Sequence, residues 1–222
     1  MTHAPIRGAV FDADGTLFDT ERLAREVWLT MAREWGADAI AAHYKELIGR
    51  NREGIVSLLR PVCPPGFPLD DFLRTCSLRT RERMTQGVPV KEGARELLEF
   101  LNSCGLPLAM ATSSGGPTTR FKLESSGLAP CFQAVITGDM VAQGKPHPEI
   151  YLTACRTLGL EPSQVLAVED SPNGIRSAHA AGTMVVMIPD LIPPTPELDS
   201  LVCCRCGSLT ELRERLEQIL TP

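Results

Sequence analysis

The chain has 222 residues, a net charge of −5 and 43% hydrophobic residues, enough apolar matter for a sizeable core in one domain or two unequal ones. The acidic balance excludes a general nucleic-acid binder, which needs a basic face. No apolar run is long enough to cross a membrane, and Met1-Thr2-His3-Ala4-Pro5 lacks the basic-then-apolar form of a secretory leader, so a cytoplasmic location is expected.

In chain order, Gly8-Ala9-Val10-Phe11 predicts a buried parallel strand. Asp12-Ala13-Asp14-Gly15 follows at once. Carboxylates so close repel one another unless a cation or a shared proton lies between them. Gly15 permits a sharp turn and the close approach of a small group. Alone, this stretch also fits an Asp-Gly turn capping the next helix. Asp19 or Thr20 is placed to cap a helix along which Leu23, Val27, Trp28, Met31 and Trp35 recur at helical spacing, with Gly36 as its stop. Helical text returns at 43–48 and 54–59. The proline-rich stretch 61–68 breaks it. A helix is predicted over 69–84, with Asp70 near its start and Arg79, Arg81 and Arg83 toward its end, as the helix dipole favours. Residues 20–86 therefore read as an all-helical insert after the first strand.

Beyond it the text alternates. Helices are predicted over 92–104, 117–126, 148–158, 172–181 and 209–220, and strands over 106–111, 134–137, 165–168 and 184–188. The recurring helix–glycine–strand order predicts an α/β fold, a Rossmann-like doubly wound parallel sheet built from residues 1–19 and 87–222. Cys104, Cys131 and Cys155 read as small buried hydrophobes. Cys203, Cys204 and Cys206 lack a nearby histidine or a second cysteine pair, so they read as apolar positions of a last short strand, Leu201-Val202-Cys203-Cys204, rather than as a zinc site. No disulfide is expected in a reducing compartment.

Polar residues interrupt this pattern where strands end: Asp12 and Asp14, Thr112 and Ser113, Lys145 in Gly144-Lys145-Pro146, and Glu169-Asp170. In a parallel sheet those ends share one rim, so the clusters can converge. Each suits chemistry on a phosphate. Asp12 can attack as a nucleophile, and Asp14 can protonate the leaving oxygen and then activate water. The Thr112 hydroxyl can bind phosphate oxygens, and Lys145 can offset charge. Asp12 and Asp170 can hold Mg²⁺, a hard ion that prefers oxygen.

With these motifs in view the chain resembles the haloacid dehalogenase superfamily of phosphotransferases, in its beta-phosphoglucomutase-like branch. The resemblance rests on Phe11-Asp12-Ala13-Asp14-Gly15-Thr16, Ala111-Thr112-Ser113-Ser114, Gly144-Lys145-Pro146 and Glu169-Asp170-Ser171-Pro172-Asn173-Gly174, and it covers essentially the whole chain. It implies Asp12 as nucleophile, Asp14 as acid/base, Thr112 and Lys145 on the phosphate, and Mg²⁺ on Asp12, the Asp14 carbonyl and Asp170, with Glu169 beside the metal. Gly15, Ser113 and Asn173 are the further substrate-binding candidates. It also implies that the insert is an all-helical cap domain that closes over the site and selects substrate. Within it, Arg52 aligns with an arginine that contacts a distal phosphate in the mutases. One departure stands out: those mutases carry a histidine where this chain has Ala24. The expected activity is a Mg²⁺-dependent phosphatase for a small phosphorylated metabolite, acting as a monomer with no nucleic-acid or membrane partner. The alternative is a sugar-phosphate mutase. A catalytically dead binding module would show a broken motif, and a dinucleotide binder would need Gly-x-Gly-x-x-Gly after the first strand; neither holds.

Overall fold

A computed structural model describes residues 6–85 and 87–220; the N-terminal pentapeptide, on which the expectation of no leader rests, and the insert's last position, 86, lie outside the described residues. Strands β1 (Gly8–Phe11), β2 (Leu108–Ala111), β3 (Ala134–Ile136), β4 (Val165–Glu169), β5 (Met184–Met187) and β6 (Cys204–Arg205) form one parallel sheet in the order β3-β2-β1-β4-β5-β6. Because side chains alternate along a strand, each central strand feeds two cores. Ala9 and Phe11 face one core with Leu97, Leu108 and Leu212; Val10 faces the other with Ala109, Tyr151 and Ile175. The strands are buried on both faces, which is why they read as continuous apolar runs.

The first connection, after β1, holds helices α1 (Thr20–Glu34), α2 (Asp38–Ala41), α3 (Tyr44–Leu47), α4 (Arg52–Leu59) and α5 (Leu69–Met84). These enclose their own core, in which Trp28 meets Phe72 edge-on at 5.0 Å and Trp35 meets the same ring at 5.7 Å. The chain enters and leaves this insert side by side: the Asp19 N–H donates to the Pro89 carbonyl at 2.9 Å and the Lys91 N–H to the Leu17 carbonyl at 2.8 Å. Helices α6 (Ala94–Ser103), α7 (Gly116–Ser126), α8 (Glu149–Leu158), α9 (Pro172–Ala180), α10 (Pro196–Asp199) and α11 (Leu209–Leu220) complete the fold. α6 and α11 cover one face, α8 and α9 the other. Among the described residues no helix is long and apolar enough to cross a membrane.

Three expectations differ. The last strand is Cys204–Arg205, later than predicted, because the chain first turns after α10 and only then pairs, with Cys203 N–H donating to Val185 at 2.7 Å and Cys206 N–H to Met187 at 3.0 Å. Cys104 is exposed, since it ends α6 where Gly105 turns the chain at φ +74°. The four-residue helices α2 and α10 were not foreseen; they are too short to show a period. All eight cysteines are free thiols, and Cys206 alone of its cluster is buried.

Candidate active site

Asp12 is the first residue beyond β1, Thr112 the first beyond β2, Glu169 the last of β4 and Asp170 the next. The strand order reverses direction between β1 and β4, so Asp12 and Asp170 flank the switch point where open α/β sheets bind ligands. Lys145 reaches in from the loop after β3. It is 4% exposed, and its Nζ donates to Asp12 Oδ1 at 2.5 Å, Glu169 Oε1 at 2.5 Å and the Ala111 carbonyl at 3.0 Å. Burial opposes its charge, but Asp12 and Glu169 outweigh that and raise its pKa. The ammonium also lies 5.1 Å over the Tyr151 ring centroid.

Glu169 is fully enclosed and saturated. Oε1 accepts from Lys145 and, at 2.8 Å, from Tyr151; Oε2 accepts from the Asp170 and Ser171 N–H groups at 3.1 and 3.2 Å and from Ser171 Oγ at 3.1 Å. Its lone pairs are thus committed to protein donors, and its geometry orients Lys145. Asp170 accepts Thr16 Oγ1 on Oδ1 at 2.9 Å. Asp12 Oδ2 and Asp170 Oδ2 have no protein donor among the described residues. One carboxylate oxygen each from Asp12, Glu169 and Asp170 lies within 4.8 Å of the others. Burial, then the neighbouring acids, push Asp170 well up; burial and Glu169 push Asp12 up despite Lys145. A buried set of like charges with two uncommitted oxygens is what a divalent cation relieves, so the residues fit one. Gly15, at φ +89°, permits the packing: a Cβ there would stand 2.2 Å from Asp170 Oδ2.

Asp14 has a different environment. Thr20 Oγ1 and Lys122 Nζ both donate to its Oδ1, and Ser114 Oγ donates to Oδ2 at 2.8 Å. Burial would raise its pKa; the Lys122 ammonium and these hydrogen bonds prevail and hold it below the usual range. Thr20 was read as a helix cap, but its hydroxyl is spent on Asp14, and neither it nor Asp19 caps α1 through a side chain.

Asp12, Asp14, Thr112, Ser113 and Ser114 line a cavity of about 310 Å³ roofed by the insert, including Glu21, Ala24, Trp28 and Tyr44. Thr112 Oγ1 accepts from the Ser114 N–H at 3.1 Å. Ser113 Oγ donates to the Gly49 carbonyl at 3.1 Å, so it ties the insert to the sheet. Gly49 and Gly144 permit two further close approaches between insert and sheet, since added Cβ atoms would fall 2.6 Å from Ser171 Oγ and 2.5 Å from Asn51 Nδ2 respectively.

Gly15, Lys145, Glu169 and Asp170 are not among the residues that line the cavity but join it through Asp12 and the acidic cluster, and two further candidates belong to neither group. Arg52 points away from the cavity, 60% exposed, and pairs with Asp70 at 2.9 Å, because it opens α4 beside the start of α5; Arg50 borders the cavity instead. Asn173 is half-buried in the first turn of α9, near Gly49, and does not line the cavity. Conversely, Lys122, Glu21 and Tyr151 stand in no motif of the sequence, and Ser114 stands in one without an assigned role. Glu21 accepts Tyr44 Oη at 2.9 Å, and burial, then Asp14, push its carboxyl up to about 7. Lys122 had a signal: it sits one position from Leu123 and three from Thr119, on the buried stripe of its helix.

The sequence profile of the haloacid dehalogenase-like hydrolases matches residues 6–182. Hexitol phosphatase A of Escherichia coli K12 is 32% identical, with 88% of each chain covered. The validoxylamine A 7'-phosphate phosphatase of Streptomyces hygroscopicus subsp. limoneus is 33% identical, over 80% of this chain and 83% of that one. The crystal structure of CbbY from Rhodobacter sphaeroides in complex with phosphate superposes with a TM-score of 0.78 at 28% identity, over 93% of this chain and 96% of that one. The profile spans the insert as well as most of the sheet that carries the acidic rim, and the chain belongs to the haloacid dehalogenase-like hydrolases.

Proposed function

We propose that this hydrolase is a Mg²⁺-dependent phosphatase that removes phosphate from a small metabolite, a sugar phosphate or similar, through an aspartyl-phosphate on Asp12. One observation carries the reading: two carboxylates border one cavity, each held by its own buried ammonium, Asp12 by Lys145 and Asp14 by Lys122. Separate environments suit separate roles. Asp12 attacks phosphorus as the ester P–O bond breaks, and Asp14, ionised at rest beside Lys122, relays to the departing oxygen the proton that the phosphate monoester monoanion brings into the site. Asp14 then takes a proton from the water that attacks the aspartyl-phosphate, which frees inorganic phosphate and restores Asp12. The Thr112 hydroxyl binds a phosphoryl oxygen, and Lys145, whose three donors are taken by Asp12, Glu169 and the Ala111 carbonyl, acts by charge, offsetting the negative charge around the transferring group. Asp12, Asp170 and the Asp14 carbonyl would hold Mg²⁺, and Glu169, whose lone pairs are taken, stands beside it and fixes Lys145. When bound, Mg²⁺ offsets the charge shared by the carboxylates and the phosphate.

The insert is read as a cap, residues 20–86, against a core of 1–19 and 87–222. Its contacts at Gly49 and Asn51 support closure over the site, which excludes water from competing positions. The phosphatase names of the Escherichia coli and Streptomyces relatives agree with this reading. Hydrolysis is favoured over a mutase reaction because Ala24 offers the cavity only a methyl group and Asp14 is held by protein donors, not by a sugar. Eight free thiols fit a reducing cytoplasm. The test is Asp12→Asn: an amide cannot accept the phosphoryl group, so turnover falls by at least about a thousandfold while the circular dichroism spectrum is kept. Wild-type turnover in the purified variant would end the assignment.

A further inference from the structure

Lys122 is a lysine midway along α7 that is only 4% exposed, and lysines are almost never so buried unless paired. Among the described residues its only ion-pair partner is Asp14. α7 starts just after the Thr112–Ser114 loop, so one segment carries the phosphate-side hydroxyl, the Ser114 donor to Asp14 and the ammonium. The other donor to Asp14, Thr20, comes from the start of the insert.

We propose that Lys122 is the positioning residue for Asp14, the charge that holds this carboxylate aimed into the cavity before any substrate arrives. The proposal rests on the reading of Asp14 as acid/base. Thr20 and Ser114 are neutral donors, whereas Lys122 holds the anion by charge and hydrogen bond together. Lys145 does the same for Asp12 but is committed to Glu169 and the Ala111 carbonyl as well, so it cannot serve both carboxylates. A lysine acting through Asp14 affects the leaving group and the water, and leaves phosphoryl binding to the Thr112 hydroxyl and the charge of Lys145.

The experiment uses p-nitrophenyl phosphate, whose leaving group needs little protonation, and β-glycerophosphate, whose alkoxide needs it, with Mg²⁺ present. Lys122→Met, Lys122→Gln and Lys122→Arg are made in the wild-type and Asp14→Asn backgrounds, with melting curves for each. Expected for Lys122→Met and Lys122→Gln is a fall in kcat on β-glycerophosphate of about ten- to a hundredfold with KM within about threefold. A burst of nitrophenolate persists with aspartyl-phosphate accumulating, and Lys122→Arg regains part of the loss. In the Asp14→Asn background the Lys122 substitutions add nothing further, because residues acting as a unit are not additive. An equal extra loss in that background, or a rise in KM with kcat unchanged, would overturn the proposal by making Lys122 an independent or substrate-binding residue. Unchanged turnover of Asp14→Asn itself on β-glycerophosphate would instead overturn the acid/base reading, so the two failures are distinct.

Discussion

Replacing Gly174 with alanine probes the buried lattice behind the site with a single methyl group. Gly174 lies in the first turn of α9 at an ordinary helical conformation, so helix propensity alone favours Gly174→Ala by about 1 kcal/mol. The surroundings oppose it. The new Cβ would stand 1.8 Å from Glu169 Oε1, 2.0 Å from its Cδ and 2.2 Å from Oε2, where no real contact comes under 3.0 Å. Glu169 must therefore retreat by about 1 Å. That retreat stretches the two backbone bonds from the Asp170 and Ser171 N–H groups, 3.1 and 3.2 Å, beyond hydrogen-bonding range, while the Ser171 hydroxyl can turn to follow. Hydrogen bonds to a charged group contribute about 1.5–3 kcal/mol each, so losing two costs about 3–6 kcal/mol. Less the propensity gain, the net loss is about 2–5 kcal/mol. In a chain of this size each kcal/mol lowers Tm by about 2–4 °C. Urea denaturation followed by circular dichroism measures the free energy, and steady-state hydrolysis of p-nitrophenyl phosphate reports the displaced Lys145. A Gly174→Ala protein as stable as wild type, or more so, would refute the claim that Glu169 is rigidly held.

Two further outcomes are expected. Glu21, pushed from 4.5 to about 7, favours the protonated native state, so its contribution to stability is full below about pH 4.5 and is lost as pH rises through about 7, an interval on the order of 3 kcal/mol. Glu21→Gln keeps a partner for Tyr44 and removes that titration; urea midpoints at pH 5 and pH 8 should differ less than in wild type, and an unchanged pH dependence would show that Glu21 is not the group responsible. Chelation with EDTA is expected to abolish turnover, Mg²⁺ to restore it and Ca²⁺, which prefers more ligands at longer distances, to inhibit; full activity in EDTA would remove the metal from the reaction.

The apolar runs, the glycine stops and the polar interruptions are local features, and they were enough to locate β1, β2 and β4 and to forecast that Asp12, Thr112, Lys145, Glu169 and Asp170 meet at one rim. A parallel sheet aligns its strand ends, so a residue's place at the end of an apolar run already states where it stands in space. Orientation is another matter. Arg52 and Arg50 are two residues apart, yet one pairs with Asp70 at the surface, while the other donates to the Glu46 carbonyl and borders the cavity; the partners that the fold supplies decide which way each points. Glu169 was read as standing beside a metal; only the packing reveals that Lys145, Tyr151, Asp170 and Ser171 fill its lone pairs. Lys122 is the fullest case. Its partner lies 108 residues earlier in the chain, and nothing local in α7 points to Asp14. Sequence alone determined which residues end β1 and β2 and placed the acidic pair at the end of β4, since strand and helix periods are short-range. Which carboxylate each lysine neutralises was decided by the tertiary structure, since a buried charge takes its partner from whatever segment the fold brings within a few ångströms.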